Sequence, residues 1–236
     1  MIVLSDFIKD SLVEIIDYRG KVASQLTAFE DCRKNNFKKY DWLLFFDMDE
    51  FLYLRNYSNI KDFLNQKKFD KCQRIQLNWY VHTDNSLLYY DNRTLEERFP
   101  EKNKKWKDIK IGGNDVIKSI LKGNVDIIIN DNHALNHKLI SCDGFGKIKK
   151  VFGIYTNESD HYYYYIDHYW SKSTEEFVNK LLRGDAILGY KNKENNLRRI
   201  KMYFSINEIT YDKIHYIENR TKYNLTEYKL ILRNHT

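Results

Sequence analysis

The chain has 236 residues, 39 Lys plus Arg against 33 Asp plus Glu, and a formal net charge of +6. That length fits one sizeable domain with its own core. A hydrophobic content of 42% excludes intrinsic disorder, and one Pro with nine Gly excludes collagen-like, Pro-rich and low-complexity architectures. The basic residues fall in short runs, Lys102–Lys110, Lys147–Lys150 and Arg198–Lys201, and the pI is about 8.9. A nucleic-acid groove wants a concentrated stripe and a pI above about 9, so nucleic acid is not an expected partner. An anionic small ligand and peripheral contact with an acidic membrane surface remain open. Cys32, Cys72 and Cys142 are odd in number and widely spaced, without a CxxC, so no disulfide framework is expected. No apolar run approaches the ~18 residues of a spanning helix, and MIVLSDFIKD lacks the pattern of a signal peptide. A reducing, cytoplasmic setting follows, with the inner face of a membrane as the variant. Oligomeric state is not encoded in any of this.

Asp6–Lys9 reads as a brief helix and Leu12–Asp17 as a short strand. Val22–Lys39 reads as a helix, because Val22, Leu26, Phe29 and Cys32 or Arg33 recur at helical spacing. Trp42–Phe46 is wholly apolar, the pattern of a central parallel strand buried on both faces. Ile60–Gln66 follows as a short helix. Arg74–His82 reads as a strand, with Leu87–Tyr90 as its partner across Asp84-Asn85-Ser86. Phe99–Gly113 is a polar, basic loop. Val116–Leu121 and Val125–Asn130 read as strands joined through Lys122-Gly123-Asn124, and Ser141–Gly146 as a turn-rich loop. Tyr162–Asp167 is a strand delivering His168. Ser173 and Glu176 form a capping box for a helix over Thr174–Arg183. The remainder is partly helical, with Lys191–Asn196 as a polar break. The order predicts an α/β three-layer sandwich with a mixed sheet, divided into a main domain at 1–190 and a helical extension at 191–236.

The most informative segment is Asp47-Met48-Asp49-Glu50, directly after the apolar run. Carboxylates at the end of a buried strand are costly unless paired or coordinated. In open α/β sheets ligands bind at that edge. Strand alternation would turn Asp47 and Asp49 to one side, toward one Mg²⁺ or Mn²⁺ shared with a phosphate ligand. A glycosyltransferase uses such a D-x-D to hold a sugar-nucleotide diphosphate. A haloacid-dehalogenase-type phosphohydrolase uses it with Asp47 as nucleophile, but wants a small hydroxylated or β-branched residue where this chain has Phe51. Lys118, inside an apolar strand, must face solvent or an anion. His133, in a polar loop, is a candidate for a structural or acceptor-side role.

Beyond the acidic motif, QLTAFEDCRKNNFKKYDWLLFFDMDEFLYL is similar to family-92 glycosyltransferases, once described as domain of unknown function 23, and to their bacterial family-2-like relatives. NWYVHTDN, YYDNRTLEERF, VIKSIL, DNHALN, IDHYW and KSTEEFVNKLLRGD continue the resemblance in order, with Trp170 where the family has Arg. It runs from about residue 12 to 190. The resemblance implies a GT-A fold, a Rossmann-like sandwich that binds a nucleoside diphosphate sugar with a divalent metal. Residue by residue, it implies Asp47 near ribose, sugar or metal, Asp49 and His168 on the metal, and Glu50 as a supporting acid. In such folds the D-x-D follows an opening βα unit. Here it arrives at residue 47, so that unit is expected to be missing, and a remnant serving only as a binding module is the rival reading.

The expected reaction is transfer of a sugar to a glycan or glycolipid hydroxyl, with inversion. Lys172 at a helix entry, Lys118 and Gln25 are candidates for holding the donor. Asp143, Asp84 and Glu97 are the candidates for the carboxylate that takes the acceptor's proton.

Overall fold

A computed structural model describes residues 4–21, 24–103, 113–150, 153–156, 160–184 and 193–233. Helix α1 spans Ser5–Lys9. Residues 12–17 do not form the expected strand: no strand pairs with them, and Leu12, Ile15 and Ile16 stay exposed. Helix α2 covers Gln25–Asn35, shorter than the periodicity predicts. Val22 lies outside the described residues.

The apolar run yields only a three-residue strand, β1 (Trp42–Leu44). It lies at the edge of the sheet, antiparallel to β4 (Ile117–Lys122), and not at a parallel centre. Its burial comes instead from α2: Leu43, Phe45 and Leu121 form a small core packed by Leu26 and Phe29. The centre belongs to β3 (Arg74–Val81), which is buried along nearly its whole length. β3 pairs with β4 on one side. On the other side it pairs with β5 (Ser141–Cys142) at one end and β6 (Tyr164–His168) at the other. β2 (Glu50–Leu54) closes the order β1-β4-β3-β6-β2. Leu87–Tyr90 and Val125–Asn130, expected as strands, belong to none.

Alternation assigns the faces of β3. Ile75, Leu77, Trp79 and Val81 face the main core, where α5 (Thr174–Arg183), α6 (Lys193–Ile206), α7 (Tyr211–Thr221) and α8 (Thr226–Arg233) pack. Gln76 and Asn78 face the other way, the side α2 covers near β1. The described residues also hold the short helices α3 (Ile60–Leu64) and α4 (Leu95–Arg98). This is an α/β fold with a mixed sheet between helical layers, consistent with a GT-A-like arrangement. The expected polar break at 191–196 is partly helical, since α6 begins at Lys193. Ile200, Tyr203, Ile214 and Ile217 share the core of β3, so the C-terminal helices pack as part of one body.

Cys72 and Cys142 form a disulfide, contrary to the reading of their spacing. They are 70 residues apart in sequence, but the β3–β5 pairing sets Cys142 opposite Ile75, three residues from Cys72. Persistent disulfides belong to oxidising surroundings, which argues against the expected reducing compartment. Cys32 is free. Among the described residues, no helix is long and apolar enough to cross a membrane.

Candidate functional site

The acidic segment is a turn, not a strand end. The Glu50 amide donates to the Asp47 carbonyl at 3.0 Å, and the Asp47 amide donates to Glu50 Oε2 at 2.9 Å. β2 starts at Glu50 and runs antiparallel to β6, with Glu50 opposite His168. The amide of Tyr169 donates to the Asp49 carbonyl at 3.0 Å. Strand pairing thus brings His168 to the acidic turn across more than a hundred residues. Its Nε2 lies 3.7 Å from Asp49 Oδ1.

Asp47 and Asp49 line one cavity but pair with different groups. Asp47 is taken by Gln25 Nε2 at 3.0 Å and Lys118 Nζ at 2.9 Å. Lys118 is fully buried and also reaches Glu50 Oε2 at 3.3 Å, while Trp79 Nε1 donates to Glu50 Oε1 at 2.9 Å. The anion that Lys118 faces is therefore the protein's own acidic turn. Glu50 is buried, and burial raises its carboxyl to about 7 against the pull of Lys118. Asp49 sits 3.2 Å from Lys172 Nζ. Burial pushes Asp49 up, but His168, Lys180 and Lys172 outweigh it and hold this carboxyl well below the usual range. Burial pushes His168 down to about 4, which keeps the imidazole neutral at physiological pH.

These groups open onto a cavity of about 510 Å³ lined also by Trp170, Asn132 and His133. Four cations, Lys172, Lys180, Arg183 and Arg199, line it against the two carboxylates Asp47 and Asp49. Lys180 comes from α5, where burial lowers its ammonium to about 8. Sequence reasoning missed Lys180, Arg183 and Arg199. The only signals were the basic last turn of α5 and the Arg198–Lys201 run, neither of which marks a shared cavity.

The three expected proton acceptors lie elsewhere, and none lines this cavity. Asp84 is buried against Lys213 Nζ at 2.7 Å and accepts from Tyr203 at 2.5 Å, an internal tie between the β3 end and the helices. Glu97 is exposed and completes a capping box with Thr94 at α4. Asp143 accepts from the amides of Phe145 and Lys147 in its own turn, at the edge of the opposite sheet face.

A divalent cation is implied by the resemblance, so its fit matters. Among the described residues, no three His, Cys, Asp or Glu side chains gather as a metal cage. Asp49 and His168 do face each other across the cavity wall, and buried His168 Nδ1 has no partner among the described residues. One carboxylate and one imidazole suit a cation that is otherwise held by phosphate and water, the habit of Mg²⁺ in phosphate sites. The pair fits, and Asp47, held by Lys118, lines the same cavity.

A search of curated proteins returned no significant match. The family model for glycosyltransferase family 92 matches residues 3–198, which spans the acidic turn, β3, Lys118, His168 and α5. With most of its length under that match, the chain belongs to glycosyltransferase family 92.

Proposed function

We propose that this glycosyltransferase binds the diphosphate of a nucleoside diphosphate sugar in the cavity at Asp49 and transfers the sugar to a hydroxyl of a glycan or glycolipid. The observation that carries the reading is the excess of cationic over anionic side chains on the cavity wall. Lys172 and Lys180 come from the entry and body of α5, and Arg199 from α6, so three separate positions put positive charge on one cavity wall, as a diphosphate requires. Asp49 and His168 would hold a Mn²⁺ or Mg²⁺ ion, which when bound neutralises charge on the leaving diphosphate. Gln25 and Lys118 hold Asp47 in place beside them.

For an inverting transfer the chain must also take the acceptor's proton. His133 lines the same cavity, and its Nδ1 lies 3.1 Å from the Ile117 carbonyl. A carbonyl only accepts, so Nδ1 carries the hydrogen and Nε2 keeps its lone pair. Burial and Lys118 lower His133 to about 4. An anionic donor in the cavity raises it again and makes it a better base.

The test is calorimetry with a panel of UDP- and GDP-sugars in the presence of Mn²⁺, followed by transfer assays with any donor that binds. Binding of at least one donor, lost in Asp49→Ala, supports the reading. No donor binding, or binding with the same metal dependence in Asp49→Ala, overturns it.

A further inference from the structure

A second cavity lies on the other face of the sheet, and the proposed transfer does not use it. β5 and β6 flank the same edge of β3, β5 at Arg74–Ile75 and β6 at Trp79–Val81. The three residues between are left in a notch of about 350 Å³, within the size range of small-molecule pockets. Gln76 lines it, and strand alternation sets Gln76 on the face opposite Trp79 and the cation-lined cavity.

Each wall is a fixed turn. On one side Asp143 accepts from its own loop amides and presents Phe145, 41% exposed. On the other, Asp160 accepts from the amides of Tyr162, Tyr163 and Tyr164 and presents Tyr163. The Phe145 and Tyr163 rings meet edge to face at 5.6 Å. Gly144 is required at the base of the first wall, because a Cβ there would lie 2.6 Å from the Tyr164 ring.

Gln76 is 4% exposed, and its Oε1 has no hydrogen-bond partner among the described residues. A buried acceptor left unpaired costs about 1–3 kcal/mol, so it marks where a donor is wanted. The charges that line the notch are balanced, Asp143 and Asp160 against Lys147 and Lys149. No net field selects an ion. The site offers aromatic walls for apolar ring faces and a buried neutral acceptor for a hydroxyl, which is the surface chemistry of a sugar ring.

We propose that this notch is a non-catalytic saccharide-binding site, taking one or two neutral sugar rings of a glycan. It rests on the proposed function only in that a transferase acting on glycans gives a reason to grip one at a distance from the reacting hydroxyl. A chain held there and reacting at Asp49 must wrap from one sheet face to the other, which favours extended acceptors over short ones.

The experiment is saturation-transfer NMR on the full chain with cellobiose, maltose, lactose and N,N′-diacetylchitobiose, each at millimolar concentration. At least one disaccharide is expected to bind. Phe145→Ala, an exposed position, is expected to weaken it about tenfold by loss of ring stacking, and Gln76→Met to remove it. Asp49→Ala is expected to keep disaccharide binding while losing the donor, so this proposal and the transferase reading fail separately. The proposal is overturned if no disaccharide binds, if binding survives Phe145→Ala unchanged, or if a bound sugar nucleotide displaces the disaccharide competitively. Circular dichroism of each variant checks folding, and Phe145→Ala decides alone if Gln76→Met does not fold.

Discussion

Two acidic turns in this molecule look alike in sequence and do different things. Asp47-Met48-Asp49-Glu50 and Asp143-Gly144-Phe145-Gly146 each follow a short strand and each end near an aromatic residue. In the second, Asp143 Oδ1 accepts from the amides two and four residues on and so shapes its own loop, while Oδ2 lies 3.9 Å from Lys149 Nζ. In the first, the oxygens meet Gln25, Lys118, His168 and Lys172, delivered by α2, β4, β6 and the entry to α5. A carboxylate bound by its own backbone is architecture. A carboxylate met by cations from distant elements, beside a cavity, is the one on which the proposed function rests.

Substitutions can break or sharpen that contrast. The largest effect is expected for Lys118→Met, which leaves Asp47 and buried Glu50 without their shared cation. Breaking a buried pair this way costs about 3–5 kcal/mol, read from urea unfolding. A cost as small as that of an Asp143 variant would erase the distinction. Asp49→Ala comes next. It should lower turnover about 100-fold or more, as removal of a group stabilising transition-state charge does, with some loss of stability because Lys172 and Lys180 lose their counter-charge.

Lys180 gives a pH test. Its ammonium, lowered to about 8 by burial, is charged below that pH and neutral above it. Donor affinity is therefore expected to fall as pH rises through about 8, by roughly tenfold for the loss of one charged hydrogen bond. Lys180→Arg, charged throughout, should flatten that limb in calorimetric titrations. The smallest effect belongs to Asp143→Ala. It should cost about 1 kcal/mol of stability for its lost turn bonds and leave turnover within about twofold of the parent chain. A turnover loss as large as that of Asp49→Ala would return Asp143 to the catalytic machinery.

Local patterns in the chain made some of this legible. The capping box at Ser173 and Glu176 predicted α5 to the residue, because a helix start is a short-range event. The acidic turn and His168 stood out because carboxylates after an apolar run, and a histidine at a strand end, are unusual neighbours. What stayed hidden depends on pairing. The apolar run at 42–46 reads as a sheet centre, yet it is an edge, because α2 buries what a second neighbouring strand would otherwise bury. Asp84 follows a strand and looks available, yet it is sealed under Lys213 and Tyr203 from residues more than a hundred positions later. Lys180 and Arg199 went unmarked because nothing in their helices records which side meets the cavity.

The Cys72–Cys142 bond has a topological consequence. It closes a covalent ring whose ends are 70 residues apart, and that ring contains β3, β4, Lys118 and His133. The chain-entropy treatment assigns a closure of this length about 4 kcal/mol of restraint on the unfolded chain. Reducing the bond removes that restraint, so the reduced chain is expected to unfold at lower urea than the oxidised one.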